Sequence, residues 1–258
     1  MACDGNSVSQ SESTQQQVDF TQQQIDYAQQ QIDSASSVVK QEIDNLLSSA
    51  LLAATELANH QELGHAIASD NRDEALRIAN ELKRVRDLDF ITLTDNNGIV
   101  LVRTINPLSL GDNIAHFPPF KSALNGNTIS SIETNDNMRL STIACAPIYD
   151  DNMNLIGVFQ SGCRLDEQQF ALRIKELTGC EVEIYHYNER IATTIMDEDG
   201  MFTLGARDDA IERVLAGETH TEEITIFGNK ALIRYDPLFS ADNQVVGIIS
   251  VAEFIPGS

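Results

Sequence analysis

Residues 144–162 read ACAPIYDDNMNLIGVFQSG, and residues 234–252 read RYDPLFSADNQVVGIISVA. Each stretch has two apolar runs with a short polar segment between them, which is typical of two β-strands joined by a tight turn. Gly157 in the first stretch corresponds to Gly247 in the second, at the same position relative to the turn. A hairpin that occurs twice in the same form predicts that the chain contains two copies of one structural module.

Outward from the first hairpin, the sequence predicts an antiparallel sheet of about five strands, with a helical segment between the second and third. The predicted elements are strands at 89–95, 99–104, 129–134, 140–149 and 154–162 and a helix at 117–124. Asn97-Gly98 is a favoured dipeptide for the turn of a β-hairpin. Because consecutive antiparallel strands are usually neighbours, these elements are expected to form one compact module.

The second copy follows a predicted connecting helix at 165–178, which Gly179 ends. Its elements are predicted as strands at 180–187, 190–195, 222–226, 230–235 and 244–254 and a helix at 208–215. Gly217 and Pro237 match Gly126 and Pro147 of the first copy. The predicted fold class is therefore α+β, with two tandem modules that each contain an antiparallel sheet.

A strict seven-residue repeat precedes the first module: TQQQVDF from Thr14, TQQQIDY from Thr21 and AQQQIDS from Ala28. Its apolar column continues through Val39, Leu46 and Ala53, and neither Gly nor Pro interrupts residues 14–63. Such spacing predicts one long helix over about 14–59, with a stripe that suits a coiled-coil seam. This helix is interpreted as a dimer stalk, as a helix packed along its own domain, or as both at different heights.

The resulting domain organisation has four parts. Residues 1–13 are expected to be a disordered tail, because they are polar, small and without periodicity. Residues 14–86 are predicted to form the long helix and a second helix at about 72–86. Residues 87–164 and 165–258 are predicted to be the first and second modules, the latter including the connecting helix.

Composition excludes several classes of partner. The net charge of −22 argues against binding to nucleic acid or to anionic lipid surfaces.

The four cysteines form no CxxC pair, and no metal site is expected. A disulfide bond between Cys163 and Cys180 remains an open alternative. No motif of a nucleophilic or phosphate-transferring enzyme is present, so the chain is predicted not to be an enzyme and to need no cofactor. No apolar run approaches the ~20 residues of a membrane helix.

A series of short motifs resembles the double Cache sensor domain of bacterial methyl-accepting chemotaxis proteins over about residues 45–255. The motifs are DNNGIVLVR at 95–103, NPLSLGD at 106–112, ALNG at 123–126, LS at 140–141, API at 146–148, IGV at 156–158, ELTGCEVEI at 176–184 and ATTI at 192–195. The resemblance implies PAS-like Cache modules, the first distal to the membrane and the second proximal. It also implies a receptor of the inner membrane whose periplasmic or extracellular part is this chain, with transmembrane helices that this sequence lacks.

The resemblance, together with strand alternation, implies a ligand pocket in the first module. Arg103 matches the family's basic residue after the first turn, and Gln160 matches a polar pocket position. Alternation places Ser141, Ile143 and Cys145 on one face of their strand. A lid is predicted from residues of the helical excursion, namely His116, Phe117, Phe120 and Lys121.

The ligand is expected to be a small monocarboxylate or a neutral polar compound. Carboxylate-binding relatives carry basic residues at the positions of Ile143 and Cys145, so a polycarboxylate is disfavoured here. Binding is predicted to close the lid on the sheet and to shift the long helix or the C-terminal strand within a homodimer formed through the N-terminal helix. Alternatives are the sensor domain of a histidine kinase or diguanylate cyclase, and a structural or adhesive stalk without a ligand.

Overall fold

The computed structural model of the protein describes residues 5–135, 138–196 and 208–255. Its helices are α1 (Gly5–Leu57), α2 (Gln61–Ala68), α3 (Arg72–Val85), α4 (Pro118–Leu124), α5 (Gln168–Thr178) and α6 (Asp208–Leu215). Its strands are β1 (Phe90–Asp95), β2 (Val100–Arg103), β3 (Ile129–Asn135), β4 (Met138–Tyr149), β5 (Leu155–Arg164), β6 (Glu181–His186), β7 (Glu189–Thr193), β8 (His220–Ile226), β9 (Asn229–Phe239) and β10 (Val245–Phe254). None of the described helices is both long enough and apolar enough to cross a membrane.

The two sheets have the same topology. The first module contains the order β2-β1-β5-β4-β3, the second contains β7-β6-β10-β9-β8, and all neighbouring strands are antiparallel. The hairpin quoted at the outset is β4–β5, and its repeat is β9–β10. In each sheet the last strand of this hairpin is central, because it pairs with the first strand of its own module. The predicted α+β fold with two tandem antiparallel modules is confirmed.

The glycine that recurs in both hairpins allows a close approach of two strands. A Cβ atom built on Gly157 would lie 2.2 Å from the carbonyl oxygen of Thr94 on β1. The corresponding distance from Gly247 to the carbonyl oxygen of Tyr185 on β6 is 2.8 Å. Any side chain at these positions would push the backbone of the neighbouring strand away, which explains why the pattern contains glycine at both sites.

Helix α1 uses its apolar stripe inside its own chain. Ile32 and Val39 are buried in a cluster with core residues of the second module, and Ala53 is buried in a cluster with core residues of the first. The small residue Ala28 is fully buried. The heptad column therefore packs α1 along both sheets, as the second interpretation of the repeat proposed. A homodimer through this helix stays a prediction, and from residue 21 onward it would have to use the opposite, mainly polar face.

The N-terminal helices differ from the prediction in the start of α1 and in the presence of an additional helix, α2. Helix α1 begins at Gly5, so the segment 1–13 that was expected to be disordered is helical from Gly5 onward, while residues 1–4 lie outside the described residues. The chain also forms α2, which contains Gly64, between the two helices that were predicted for this part of the sequence. The Nδ1 atom of His60 accepts a hydrogen bond from the Leu63 amide at 3.4 Å and caps this helix. A capped turn thus compensates the low helix propensity of glycine.

A buried charge network fastens α1 to the second module. The carboxylate of Asp236 on β9 accepts hydrogen bonds from Ser36 Oγ at 2.6 Å and from the Arg234 guanidinium at 3.0 and 3.1 Å. Arg234 also donates to Asp33 at 2.7 Å, and Lys40 lies 3.5 Å from Asp236. The network therefore joins one height of the helix to one strand through the buried carboxylate of Asp236, while Asp33 and Lys40 at its edge are exposed.

Cys145, Cys163 and Cys180 are all free thiols in the described structure. Burial raises the pKa of Cys163 to about 11 and that of Cys180 to about 12, and it raises the pKa of Cys145 well above its usual value. Thiols of this kind are poor nucleophiles at neutral pH. These three cysteines therefore contribute to packing.

Candidate functional site

A cavity of about 380 Å³ lies in the first module between the sheet and the segment that runs from Ile105 to Phe120. Its floor includes Thr92 and Gln160 from the two central strands. Its roof includes the rings of His116 and Phe117, whose centroids are 4.3 Å apart. The volume is at the lower end of the range for small-molecule pockets, and a mixture of apolar walls and a few polar groups is typical of them.

The register of the sheet explains why the floor is polar along one row. Thr92 pairs with Arg103 on one side and with Gln160 on the other, and Gln160 pairs with Cys145. Directly paired residues point to the same face of a sheet, so this row faces the helical excursion. The next row contains Phe90 and Ile143 and supplies an apolar wall.

Arg103 is bound to a carboxylate of its own chain. Its guanidinium donates two hydrogen bonds of 2.7 Å to the two carboxylate oxygens of Asp112, and a third of 2.8 Å to the carbonyl oxygen of Ser109. The hydrogen bonds from Arg103 hold the pKa of Asp112 below its usual value. A bidentate pair of this geometry is the arrangement in which arginine would hold a ligand carboxylate. Asp112 therefore occupies the position that the sequence assigned to the ligand.

Glu133 on β3 is a second carboxylate in the wall of the cavity, and only 5% of the residue is exposed. Its Oε1 atom accepts hydrogen bonds from Ser131 Oγ at 2.7 Å and from the amide of Ala241 at 3.1 Å. Burial raises the pKa of Glu133, while these two bonds act in the opposite direction. Since Ala241 belongs to the turn between β9 and β10, Glu133 also connects the cavity wall to the second module.

The structure brings together six of the nine predicted site residues. Those that line the cavity are Arg103, His116, Phe117, Phe120, Ile143 and Gln160. The other three lie elsewhere. Lys121 is exposed on the outer side of α4, and the fully buried Cys145 belongs to an apolar cluster with Phe120. Ser141 is fully buried beside Glu133 on the neighbouring strand.

Sequence reasoning missed Thr92, Asp112 and Glu133. Thr92 carries a signal that could have found it, because alternation along the first strand places Thr92 and Phe90 on one face. Asp112 and Glu133 carry no such signal. The first lies in an irregular loop that Gly111 turns at a φ of +84°, and the second has a partner more than a hundred positions later in the chain.

On the corresponding face of the second module, the described residues include large buried side chains. Tyr185 and Tyr235 are each 1% exposed, and the Tyr185 hydroxyl donates to Glu183 at 2.7 Å. Burial raises the pKa of Tyr185 far above its usual value. Arg234 on β9 points towards α1 and binds Asp33. In the described residues the polar cavity is thus a feature of the first module.

Comparison with protein families matches residues 26–253 to the double sensory domain of two-component sensor kinases, the dCache_3 family. A search of curated protein sequences finds no match to the chain. Among solved structures, the chain is similar to the ligand-binding domain of the Campylobacter jejuni chemoreceptor Tlp3 in complex with 4-methylisoleucine. The two are 12% identical, with a TM-score of 0.56, and the match covers 92% of this chain and 94% of the other.

Two further solved structures share the fold. The sensor domain of the V. cholerae histidine kinase DctB is 13% identical, with a TM-score of 0.57 and coverage of 90% of this chain and 98% of the other. The periplasmic domain of Vibrio cholerae LuxQ is 12% identical, with a TM-score of 0.55 and coverage of 86% and 99%. Identities this low establish the fold alone, whereas the family match spans most of the chain. The protein therefore belongs to the family of double Cache sensory domains.

Proposed function

We propose that this chain is the extracytoplasmic ligand-sensing part of a transmembrane receptor, and that the cavity of the first module binds the ligand. The observation that carries the proposal is the cavity itself, because it is large enough for a small molecule and combines polar and apolar walls. A filled core in the first module would have favoured the stalk without a ligand. The role is one of binding rather than catalysis, and the receptor resides in the inner membrane with this part periplasmic or extracellular.

The first module is proposed to be distal to the membrane and the second proximal, with module boundaries near residues 87 and 165. Ligand binding shifts the position of α1 or of β10 relative to the membrane, and a homodimer passes the change on. The packing of α1 on both sheets supports this route, since a movement of one sheet acts directly on the helix.

The output of the receptor has two candidates. A chemoreceptor is the function that the sequence motifs favour. A histidine kinase is the second candidate, because the family that matches is described as the sensory domain of sensor kinases. The sensory fold serves both classes of receptor, and sequence beyond the second transmembrane helix decides between them.

The ligand is proposed to be small and to carry no net negative charge. A polycarboxylate would need several cations, and the one guanidinium in the described cavity wall is already neutralised by Asp112. A monocarboxylate would have to displace the Asp112 carboxylate from Arg103, with the loss of two hydrogen bonds. Of the two ligand classes that the sequence favoured, the geometry supports the neutral polar compound better.

A ligand screen by thermal shift tests this function. A compound present at a hundred times its Kd stabilises the folded state by about 2.7 kcal/mol, which raises the Tm of a protein of this size by roughly 5–10 °C. Thr92→Phe places an aromatic ring on the cavity floor. We expect this variant to fold and to lose the ligand-induced rise in Tm, because the ring occupies the space of the ligand.

Lys121→Ala is the matched control. Lys121 was a predicted ligand residue, but its side chain is exposed on the outer side of α4. We expect this variant to retain the full ligand-induced shift. If no compound class stabilises the wild type, or if Thr92→Phe responds to a ligand as the wild type does, the cavity is not the sensing site.

A further inference from the structure

The charge balance of the cavity wall is negative. Arg103 and Asp112 neutralise each other through their bidentate pair. Glu133 has no cationic partner among the described residues, since its two hydrogen-bond donors are the neutral hydroxyl of Ser131 and the amide of Ala241. The nearby carboxylate of Asp242 raises the pKa of Glu133 further. One carboxylate is thus held in the wall of the cavity without a counter-charge.

The geometry of Glu133 leaves one oxygen available. Both hydrogen bonds to its carboxylate end on Oε1, and Oε2 accepts none from the described residues. A carboxylate that is largely removed from water is costly unless a donor or a cation completes its shell. The residue lines the cavity, so a molecule inside the cavity can supply that donor.

The other walls of the cavity favour a ligand with an apolar hydrocarbon portion. Phe90, Phe117, Phe120 and Ile143 contribute hydrocarbon surface to its walls. An aromatic ring also attracts a cation that lies over its face. The arrangement therefore contains one anionic group for a cation and a hydrocarbon wall for the rest of the ligand, while its described lining residues include no lysine and no unpaired arginine for a carboxylate.

We propose that the ligand of this cavity is a small organic amine, protonated and without a carboxylate, whose ammonium group binds Glu133 Oε2. The inference rests on the proposed function and adds the chemical class of the ligand and the residue that selects it. The ammonium group donates to Oε2 while Ser131 and Ala241 continue to donate to Oε1. Neutral polar compounds with the same body bind more weakly, because they lack the charge.

Three probes with one branched hydrocarbon body test the inference: 3-methylbutylamine, 3-methylbutan-1-ol and 4-methylpentanoate. Their binding to the full chain is measured by isothermal titration calorimetry near pH 7. We expect the amine to bind roughly tenfold more tightly than the alcohol, which is the usual gain from a hydrogen bond to a charged group. The acid is expected to bind more weakly than both, since it meets Glu133 with a like charge.

Glu133→Gln is the matching variant. Its amide oxygen can still accept from Ser131 and Ala241, so the fold and the contact with the second module are retained while the charge is removed. We expect the preference for the amine over the alcohol to disappear, while the affinity for the alcohol changes little. A merely structural role for Glu133 would change both affinities together and leave their ratio as it is.

The result that overturns the inference is distinguishable from a failure of the proposed function. If the acid binds at least as tightly as the amine, or if Glu133→Gln keeps the preference for the amine, the amine assignment is wrong although the cavity still binds ligands. Failure of the amine to bind the wild type also contradicts the assignment. The proposed function fails separately, through the response of Thr92→Phe in the ligand screen.

Discussion

Replacing Gly157 with alanine is expected to destabilise the first module by about 3 kcal/mol, near the upper end of the usual cost of overpacking a well-packed interior. The added Cβ atom would lie 2.2 Å from the carbonyl oxygen of Thr94, so β1 and β5 would have to move apart. Their ladder of hydrogen bonds joins the hairpin to the rest of the sheet. The measurement is the midpoint of urea unfolding for Gly157→Ala and for the wild type.

Gly64→Ala is the control for this prediction. Gly64 lies inside α2, and a Cβ atom built on it meets no other atom within 4 Å. This variant is expected to be more stable than the wild type by about 0.5–1 kcal/mol, because alanine is the better helix former. Equal unfolding midpoints for the two variants would show that the close approach of β1 and β5 does not constrain the sequence.

Asp236→Asn is expected to cost about 2 kcal/mol of stability. Removal of one partner of a buried ion pair typically costs 3–5 kcal/mol, and the partial exposure of Arg234 reduces the figure here.

The control is Asp33→Asn, which removes an exposed partner of the same arginine. Surface pairs contribute little, so this variant is expected to lie within about 1 kcal/mol of the wild type. Urea unfolding measures both, and a larger loss in Asp33→Asn would contradict the assignment.

The effect of Asp236→Asn is also expected to depend on pH. Burial raises the pKa of Asp236, but the hydrogen bonds from Arg234 and Ser36 outweigh it and hold the pKa below its usual value. The ionised carboxylate therefore contributes its full stabilisation above the unfolded-state pKa of about 3.9. That contribution is lost as the pH falls through the lower pKa of the folded state. The difference in stability between wild type and variant should be constant from pH 7 to about pH 5 and should shrink in stronger acid.

The repeated hairpin was enough to predict the two modules, because its information is local. Alternating apolar residues, a polar turn and a glycine at a close approach define β4–β5 and β9–β10 without reference to distant parts of the chain. The surface against which the heptad stripe packs could not be predicted from neighbouring residues in the same way. The same column of Ile32 and Val39 suits a partner helix or a sheet of the same chain, and only the folded structure decides between them.

The candidate site also contains residues that local patterns predict and residues that depend on contacts between distant parts of the chain. Strand alternation and family resemblance identified Arg103 and Gln160 as cavity residues, since both depend on positions along a single strand. The chemistry of the cavity depended on contacts that no strand pattern encodes. Asp112 reaches Arg103 from an irregular loop, and Glu133 meets Ala241 of the other module. Of the two ligand classes that the sequence favoured, the monocarboxylate was based on Arg103 without its partner.

The charge network at Asp236 has a consequence for the way in which α1 can move. Ser36 and Asp33 fix the helix to β9, and Glu42, further along the same helix, pairs with Arg173 of α5. Beside the first module, Ser161 donates to the carbonyl oxygen of Ala50, roughly 21 Å from Ser36 along the helix axis. A helix that is held by several polar contacts at one height can tilt about that point, but it cannot slide along its axis without breaking those contacts. If α1 moves when ligand binds, we therefore expect it to tilt about the segment near Ser36 rather than to slide along its axis. Spin-label distances between α1 and β9 at that height should stay constant when ligand binds, and a change there would indicate a sliding helix.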